Sequence, residues 1–110
     1  MIEKVIRDYL NENLQVNVYL EVPQNETTFV VIEKTGSSEE DNITKATFAF
    51  QSYGESLYKA AELNYQVIEK MKEIVELDVI SDCELNSDYN FTDTETKRYR
   101  YQAVFDITHY

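Results

Sequence analysis

Apolar residues recur along this chain with two different periods, and each change of period marks a boundary between elements. Ile2, Val5, Ile6, Tyr9 and Leu10 fall three or four residues apart across residues 2–12. Glu3, Lys4, Arg7 and Asp8 take the opposite side, with Glu3/Arg7 and Lys4/Asp8 each four residues apart. That spacing predicts a one-sided helix in need of a surface to lie on. From Val16 the period becomes two: Val16, Val18, Leu20 and Val22 alternate with Asn17, Tyr19 and Glu21, as in a half-buried strand. Pro23-Gln24-Asn25-Glu26 carries turn chemistry, and residues 28–33, with Phe29-Val30-Val31-Ile32, read as a second strand. The two strands are expected to form a hairpin.

Residues 35–42 are polar and acidic and are expected to be a loop. Residues 44–52 read as a third strand, with Ala46, Phe48 and Phe50 on one face and Thr47, Ala49 and Gln51 on the other. Residues 55–77 carry the clearest helical pattern: Leu57, Ala60, Ala61, Val67, Ile68, Met71, Ile74 and Val75 make one stripe opposite a run of Glu and Lys. A helix of that length would run roughly 33 Å, enough to cross a small sheet. The Ala60-Ala61 step should let it approach the strands closely, and Leu57, Ile68 and Met71 should be its costly positions. Val79, Ser81, Cys83 and Leu85 alternate as a weaker, partly exposed strand; residues 86–97 read as a polar loop. Tyr99, Tyr101, Ala103, Phe105 and Ile107 share one face of a last strand. The predicted order α-β-β-β-α-β-β lacks βαβ alternation. It implies an α+β domain with a mainly antiparallel sheet of four to five strands and two helices on one face. Residues 1–110 are expected to be a single domain.

Charge narrows the partners. Ten Lys and Arg against 21 Asp and Glu give a net charge of −11, which opposes tight binding to nucleic acid or an anionic membrane. An acidic surface would still let DNA pass without sticking. No apolar run approaches the ~20 residues of a membrane helix, and the amphipathic start carries no secretory leader pattern. The single cysteine, Cys83, cannot form an internal disulfide. It reads as a small buried hydrophobe of a reducing compartment, with a reactive thiol as the alternative.

Catalytic chemistry finds no footing. The only histidine, His109, is the penultimate residue and is expected to be solvated, so no nucleophile has an evident base. One Cys and one His cannot build the usual zinc site. The stretch from Asp88 begins like a calcium loop, but Asp93 stands where glycine is needed and Tyr99 where the bidentate acid is needed. Gly36 and Gly54 are too isolated to cradle phosphate. The expectation is a protein that is not an enzyme, with no catalytic residue, cofactor or metal. Aromatic usage is more informative: nine tyrosines and five phenylalanines are many for one thin core. Tyr89 and Phe91 stand in a polar stretch, and Tyr58 and Tyr65 flank the stripe of the long helix. Such rings suit a protein interface, and they could equally fold back to cap the core edge. Asn64, inside the apolar stripe, is expected to bond a neighbouring strand or helix end, with a binding role as the alternative.

Several phrases join these elements. Val22-Pro23 precedes Phe29-Val30-Val31-Ile32-Glu33-Lys34-Thr35-Gly36; Phe48-Ala49-Phe50-Gln51-Ser52-Tyr53-Gly54 leads into the long helix; and Arg98-Tyr99-Arg100-Tyr101-Gln102-Ala103-Val104-Phe105-Asp106-Ile107 closes the chain. Together with the element order, which covers most of the chain, they resemble the tail-terminator (tail-completion) proteins of long-tailed bacteriophages. The resemblance implies a sheet flanked by two helices, self-associated as a hexameric ring that caps the tail tube, halts its growth and joins it to the head connector. The implied partners are other copies of the chain, the tail-tube protein and the head-connector protein. The implied location is the tail of the virion, after synthesis in the cytoplasm of a bacterial host. On this reading the connecting segments are contact surfaces, and Glu39, Glu40, Asp41, Tyr89 and Phe91 are the candidate interface residues. Two other readings stay open. One is another head–tail connector or minor capsid component; the other is a small-molecule-binding α+β domain with a pocket between long helix and sheet.

Overall fold

A computed structural model describes residues 1–110. The chain runs α1 (Ile2–Asn13), β1 (Asn17–Tyr19), β2 (Phe29–Glu40), β3 (Ile43–Gly54), α2 (Leu57–Met71), a 3-10 turn (Ile74–Glu76), β4 (Ile80–Asn90) and β5 (Tyr99–His109). The architecture is α+β in the order α-β-β-β-α-β-β. Five strands form one sheet in the order β1-β2-β3-β5-β4. Three of the pairings are antiparallel and β1–β2 is parallel, so the sheet is mixed.

Both helices lie on the same face. Alternation sends Val30 and Ile32 of β2, Ala46, Phe48 and Phe50 of β3, and Ala103, Phe105 and Ile107 of β5 to that side. They meet Ile6, Tyr9 and Leu10 of α1 and Leu63, Val67, Ile68 and Met71 of α2 in one core of 18 buried residues. The start of α2 is fixed by Ser56, whose hydroxyl accepts the Lys59 amide at 3.1 Å. Directly below, Gly54 permits the close approach expected of Ala60. A Cβ on Gly54 would sit 2.6 Å from the Ala60 nitrogen.

Several elements depart from the sequence reading. Residues 16–22 shrink to a three-residue β1 that runs parallel to β2 and does not form a hairpin with it. The reason lies at both of its sides. Asn17 and the Tyr19 hydroxyl donate to Glu26, which ties the return loop back along β1. On the free edge, the Asn11 side chain accepts the Val18 amide at 2.9 Å and donates to the Val18 carbonyl at 3.5 Å. An amide side chain from α1 thus stands where a neighbouring strand would pair, and it blunts the edge.

Residues 35–42 are strand and turn, not loop. β2 and β3 continue as a ribbon to Glu40 and Ile43, joined by Asp41 and Asn42 at φ 52° and 66°. Two consecutive positive φ values make the turn whose twist matches a hairpin, and Asp and Asn tolerate that region better than most residues. Residues 33–40 are all exposed, so no alternation of burial betrays the strand, although β5 flanks β3 as far as Thr44. Likewise β4 runs on to Asn90, leaving only 91–98 as a connection. Helix α2 stops at Met71, well short of residue 77, and the Tyr9 hydroxyl donates to the Lys70 carbonyl at 2.9 Å in its last turn. Leu57 is therefore no core anchor: it is 40% exposed in the first turn, and Leu63 is buried in the stripe. His109 is buried, not solvated, because β5 extends to it and the Tyr110 amide bonds the Val79 carbonyl at 3.1 Å. Cys83 packs half-buried against the core, as expected of a small hydrophobe. Burial first, and Asp82 second, push its thiol from 9.0 up to about 12.

These placements predict stabilities that the sequence pattern orders differently. Met71→Ala should cost about 2–5 kcal/mol and Leu57→Ala no more than about 0.5 kcal/mol, read from urea midpoints at constant m-value. Gly54→Val should cost about 1–3 kcal/mol because backbone, not a flexible side chain, fills the space. Cys83 gives a pH signature. Its contribution is intact below the unfolded thiol's pKa and lost as pH rises from 9.0 toward 12, where the unfolded chain gives up a proton that the folded chain keeps. Stability should accordingly fall less across that interval in Cys83→Ala than in the unsubstituted protein.

Candidate functional site

The face of the sheet away from the helices receives the other half of each strand. Phe29, Val31, Ala49, Gln51, Tyr53, Arg100, Gln102 and Val104 point there, with Tyr89 of β4 beside Gln102. At the end where β3 finishes and β5 begins, these positions form an alternation of aromatic rings and arginines. Phe29 and Tyr53 stack with centroids 4.4 Å apart, and Tyr19 meets Phe29 edge-on at 6.2 Å. The Arg98 guanidinium lies 5.7 Å from the Phe29 centroid and 5.2 Å from that of Tyr53. Arg100 lies 4.5 Å from the Phe91 centroid and 5.7 Å from that of Tyr53. Phe91 in turn meets Tyr89 edge-on at 5.9 Å.

Hydrogen bonds fix this arrangement. Arg100 donates from Nε to the Phe91 carbonyl at 2.6 Å and from Nη1 to the Tyr53 hydroxyl at 2.9 Å. A second chain runs from Gln51 to Gln102 at 3.0 Å and from Gln102 to the Tyr89 hydroxyl at 2.5 Å. Phe29 and Tyr53 are 0% and 3% exposed although no helix covers them, because the two arginines and the flanking rings form their lid. Each ring–guanidinium contact contributes on the order of 0.5–1 kcal/mol at such a surface.

Neither arginine has an acidic partner; the ion pairs of the molecule involve Arg7, Lys34, Lys59 and Lys72. Two of the acids nearby are engaged elsewhere, while Glu55 lines the cleft beside Arg98 without an ion pair. Glu26 takes the Tyr19 hydroxyl, which raises the Tyr19 pKa. Asp93 accepts the amides of Glu95 and Thr96 at 3.0 and 3.4 Å. Bonds from Thr96 and then Glu95, with attraction from Arg100 last, hold the Asp93 carboxyl below its usual range.

The five candidate residues divide between two surfaces. Tyr89 and Phe91 touch one another within the aromatic–arginine patch, Tyr89 from strand β4 and Phe91 just beyond it. They are 41% and 39% exposed, so each ring both lodges against the sheet and faces solvent. Glu39 and Glu40 end β2, and Asp41 makes the turn, at the far end of the sheet. Along β3, Ile43 (opposite Glu40) and Gln51 (in line with Tyr89) are eight residues apart, or roughly 26 Å. Tyr58 and Tyr65 lie on the outer side of α2, 68% and 60% exposed, and do not cap the core. Asn64 bonds a strand as expected, donating to Asp88 at 3.3 Å.

Arg98, Arg100, Tyr53, Phe29 and Tyr19 were not singled out from the sequence. The signal was present in Arg98-Tyr99-Arg100, where strand alternation sends two of the three arginines in the chain to one face. Arg100→Lys should lower stability by about 1–2 kcal/mol, since a lysine cannot make both fixed bonds while lying on the ring. Arg98→Lys, which loses no hydrogen bond, should cost less in the same urea titration. No protein-family model matches this sequence, and no match is found among curated proteins.

Proposed function

We propose that this protein is a structural component of a bacteriophage virion: a tail terminator that self-associates in a ring, caps the tail tube and meets the head connector through protein–protein contacts. The observation that carries this reading is the uncovered sheet face with its patch of Tyr, Phe and Arg. Those residue types are enriched at the centres of protein interfaces, where rigid rings and planar guanidinium groups lose little entropy on contact. The phrases spread along the chain that resemble tail terminators supply the phage context. A net charge of −11 suits a ring around a path that DNA must traverse without sticking.

The ligand-binding alternative has less in its favour. Phe48, Phe50, Phe105 and Met71, all 0% exposed, fill the space between α2 and the sheet where its pocket was expected. The largest cleft, about 520 Å³, lies elsewhere and is open and polar, with Lys45, Asp82, Glu84 and Asp106 among its lining residues. Small-molecule sites are more often enclosed and apolar.

Two measurements test the proposal. Electron microscopy of the purified chain mixed with tail tubes should show rings seated on tube ends. The substitution of Tyr89 and Phe91 together by Ser should weaken tube or connector binding by at least about tenfold while circular dichroism reports an unchanged fold. Full tail completion by that double variant would remove these rings from the site. Absence of any binding to tubes or connectors by the unsubstituted chain would remove the function.

A further inference from the structure

We infer that the Arg98/Arg100 patch is the seat for the acidic hairpin tip of a second copy of this chain, so that copies join head to tail. The inference deepens the self-associating reading above and rests on it.

The seat is built and unfilled by the chain's own acids. The Arg98 side chain makes no hydrogen bond to its own chain, and its guanidinium lies against the rings of Phe29 and Tyr53. Arg100 spends Nε and Nη1 within the fold and keeps Nη2 without a partner. A guanidinium already flattened on a ring loses less freedom on gripping a carboxylate than a free side chain would. Beside Arg98, a cleft of about 180 Å³ is bounded by Thr27, Tyr53, Gly54, Glu55, Lys97 and Tyr99. A second cation, Lys97, and one acid, Glu55, therefore border the same opening, which leaves it one positive charge in excess.

The occupant is the other unlike end of the molecule. Glu39, Glu40 and Asp41 are consecutive, exposed, and free of ion pairs. They end β2 and form the tight two-residue turn into β3, which β5 flanks as far as Thr44, so the tip is stiff and already shaped before contact. Arg100 of the same chain is level with Tyr53, ten residues along β3 from Ile43 or roughly 33 Å, beyond intramolecular reach. Among copies that each carry −11, most orientations set acid against acid. Tip on patch is the orientation that sets acids against unpaired arginines. A phosphate-rich partner would meet the same repulsion without bringing a shaped tip. Because tip and patch are different surfaces, the contact is heterologous, and its repetition closes a ring or continues as a filament.

The test uses the full chain, sedimentation velocity and native mass spectrometry. One variant reverses the tip (Glu39→Arg with Glu40→Arg), and another reverses the seat through Arg98→Glu, where the side chain carries no hydrogen bond of the fold and the backbone bond to Asp93 is kept. Melting curves verify that both remain folded. The unsubstituted chain should self-associate. Each variant alone should do so at least about tenfold more weakly, and an equimolar mixture should recover association, since reversed tip then meets reversed seat. A chain that stays monomeric at every concentration overturns the inference. Association that both variants retain overturns this contact and leaves self-association standing. Variants that associate normally but fail to bind tubes assign the seat to an acidic segment of another protein, which also overturns it. Restored pairing in the mixture, without any binding of tubes or connectors, sinks the phage function and spares the contact.

Discussion

Two helices and a short 3-10 turn can shelter only one face of a five-stranded sheet, and the other face must satisfy itself. Every distinctive feature of the molecule follows from that shortage. On the sheltered face, Phe48, Phe50 and Phe105 meet Met71 and Val67 in an ordinary dry core. On the open face, Phe29 and Tyr53 are nearly as inaccessible, yet the atoms above them are guanidinium groups. An arginine is suited to this position because its plane stacks on a ring while its rim stays solvated. The lid therefore closes a small apolar cluster and at the same time presents charge outward.

The same shortage explains how the edges are handled. The sheet has two free edges, β1 and β4, and each is blunted differently. β1 is only three residues long and its outward amide and carbonyl are taken by Asn11. β4 departs from regular pairing twice, between Ile80 and Asp82 and again between Leu85 and Ser87, and carries Asp82, Glu84 and Asp88 along its length. Bulges and charges at an edge discourage unregulated strand pairing. Contact with other chains is thereby steered away from edge-to-edge addition and toward side-chain surfaces.

Legibility in the sequence followed burial. Where a strand has one covered face, as from Ala46 to Phe50 or from Ala103 to Ile107, alternation announces it and the register agrees. Where both faces are solvated, as in residues 35–40, the residues are polar throughout and read as loop. The strand is held there by its ladder with β3, which leaves no mark on composition. The pairing of β1 was misread for a different reason. A period of two identifies a strand but not its neighbour, and the parallel pairing depends on Asn11 and Glu26, both remote from the pattern. The surplus of rings was visible and pointed to Tyr89 and Phe91. What brings them beside Arg98 and Arg100 is the β4–β5 register, which no local pattern encodes.

Placing these residues on or beside strands changes what the surface can do. Rings carried by a long flexible loop would have to be ordered at the moment of contact, at about 0.5–1.5 kcal/mol for each immobilised side chain. Here Tyr89 is held by Gln102, Phe91 by Arg100, and Arg100 by Tyr53, so the ordering is complete before any partner arrives. The hairpin end is likewise ordered, by its own ladder and by β5, which pairs with β3 as far as Thr44. Two stiff, chemically opposite features on one sheet, too far apart to meet each other, can pair only between molecules, which is the contact proposed above.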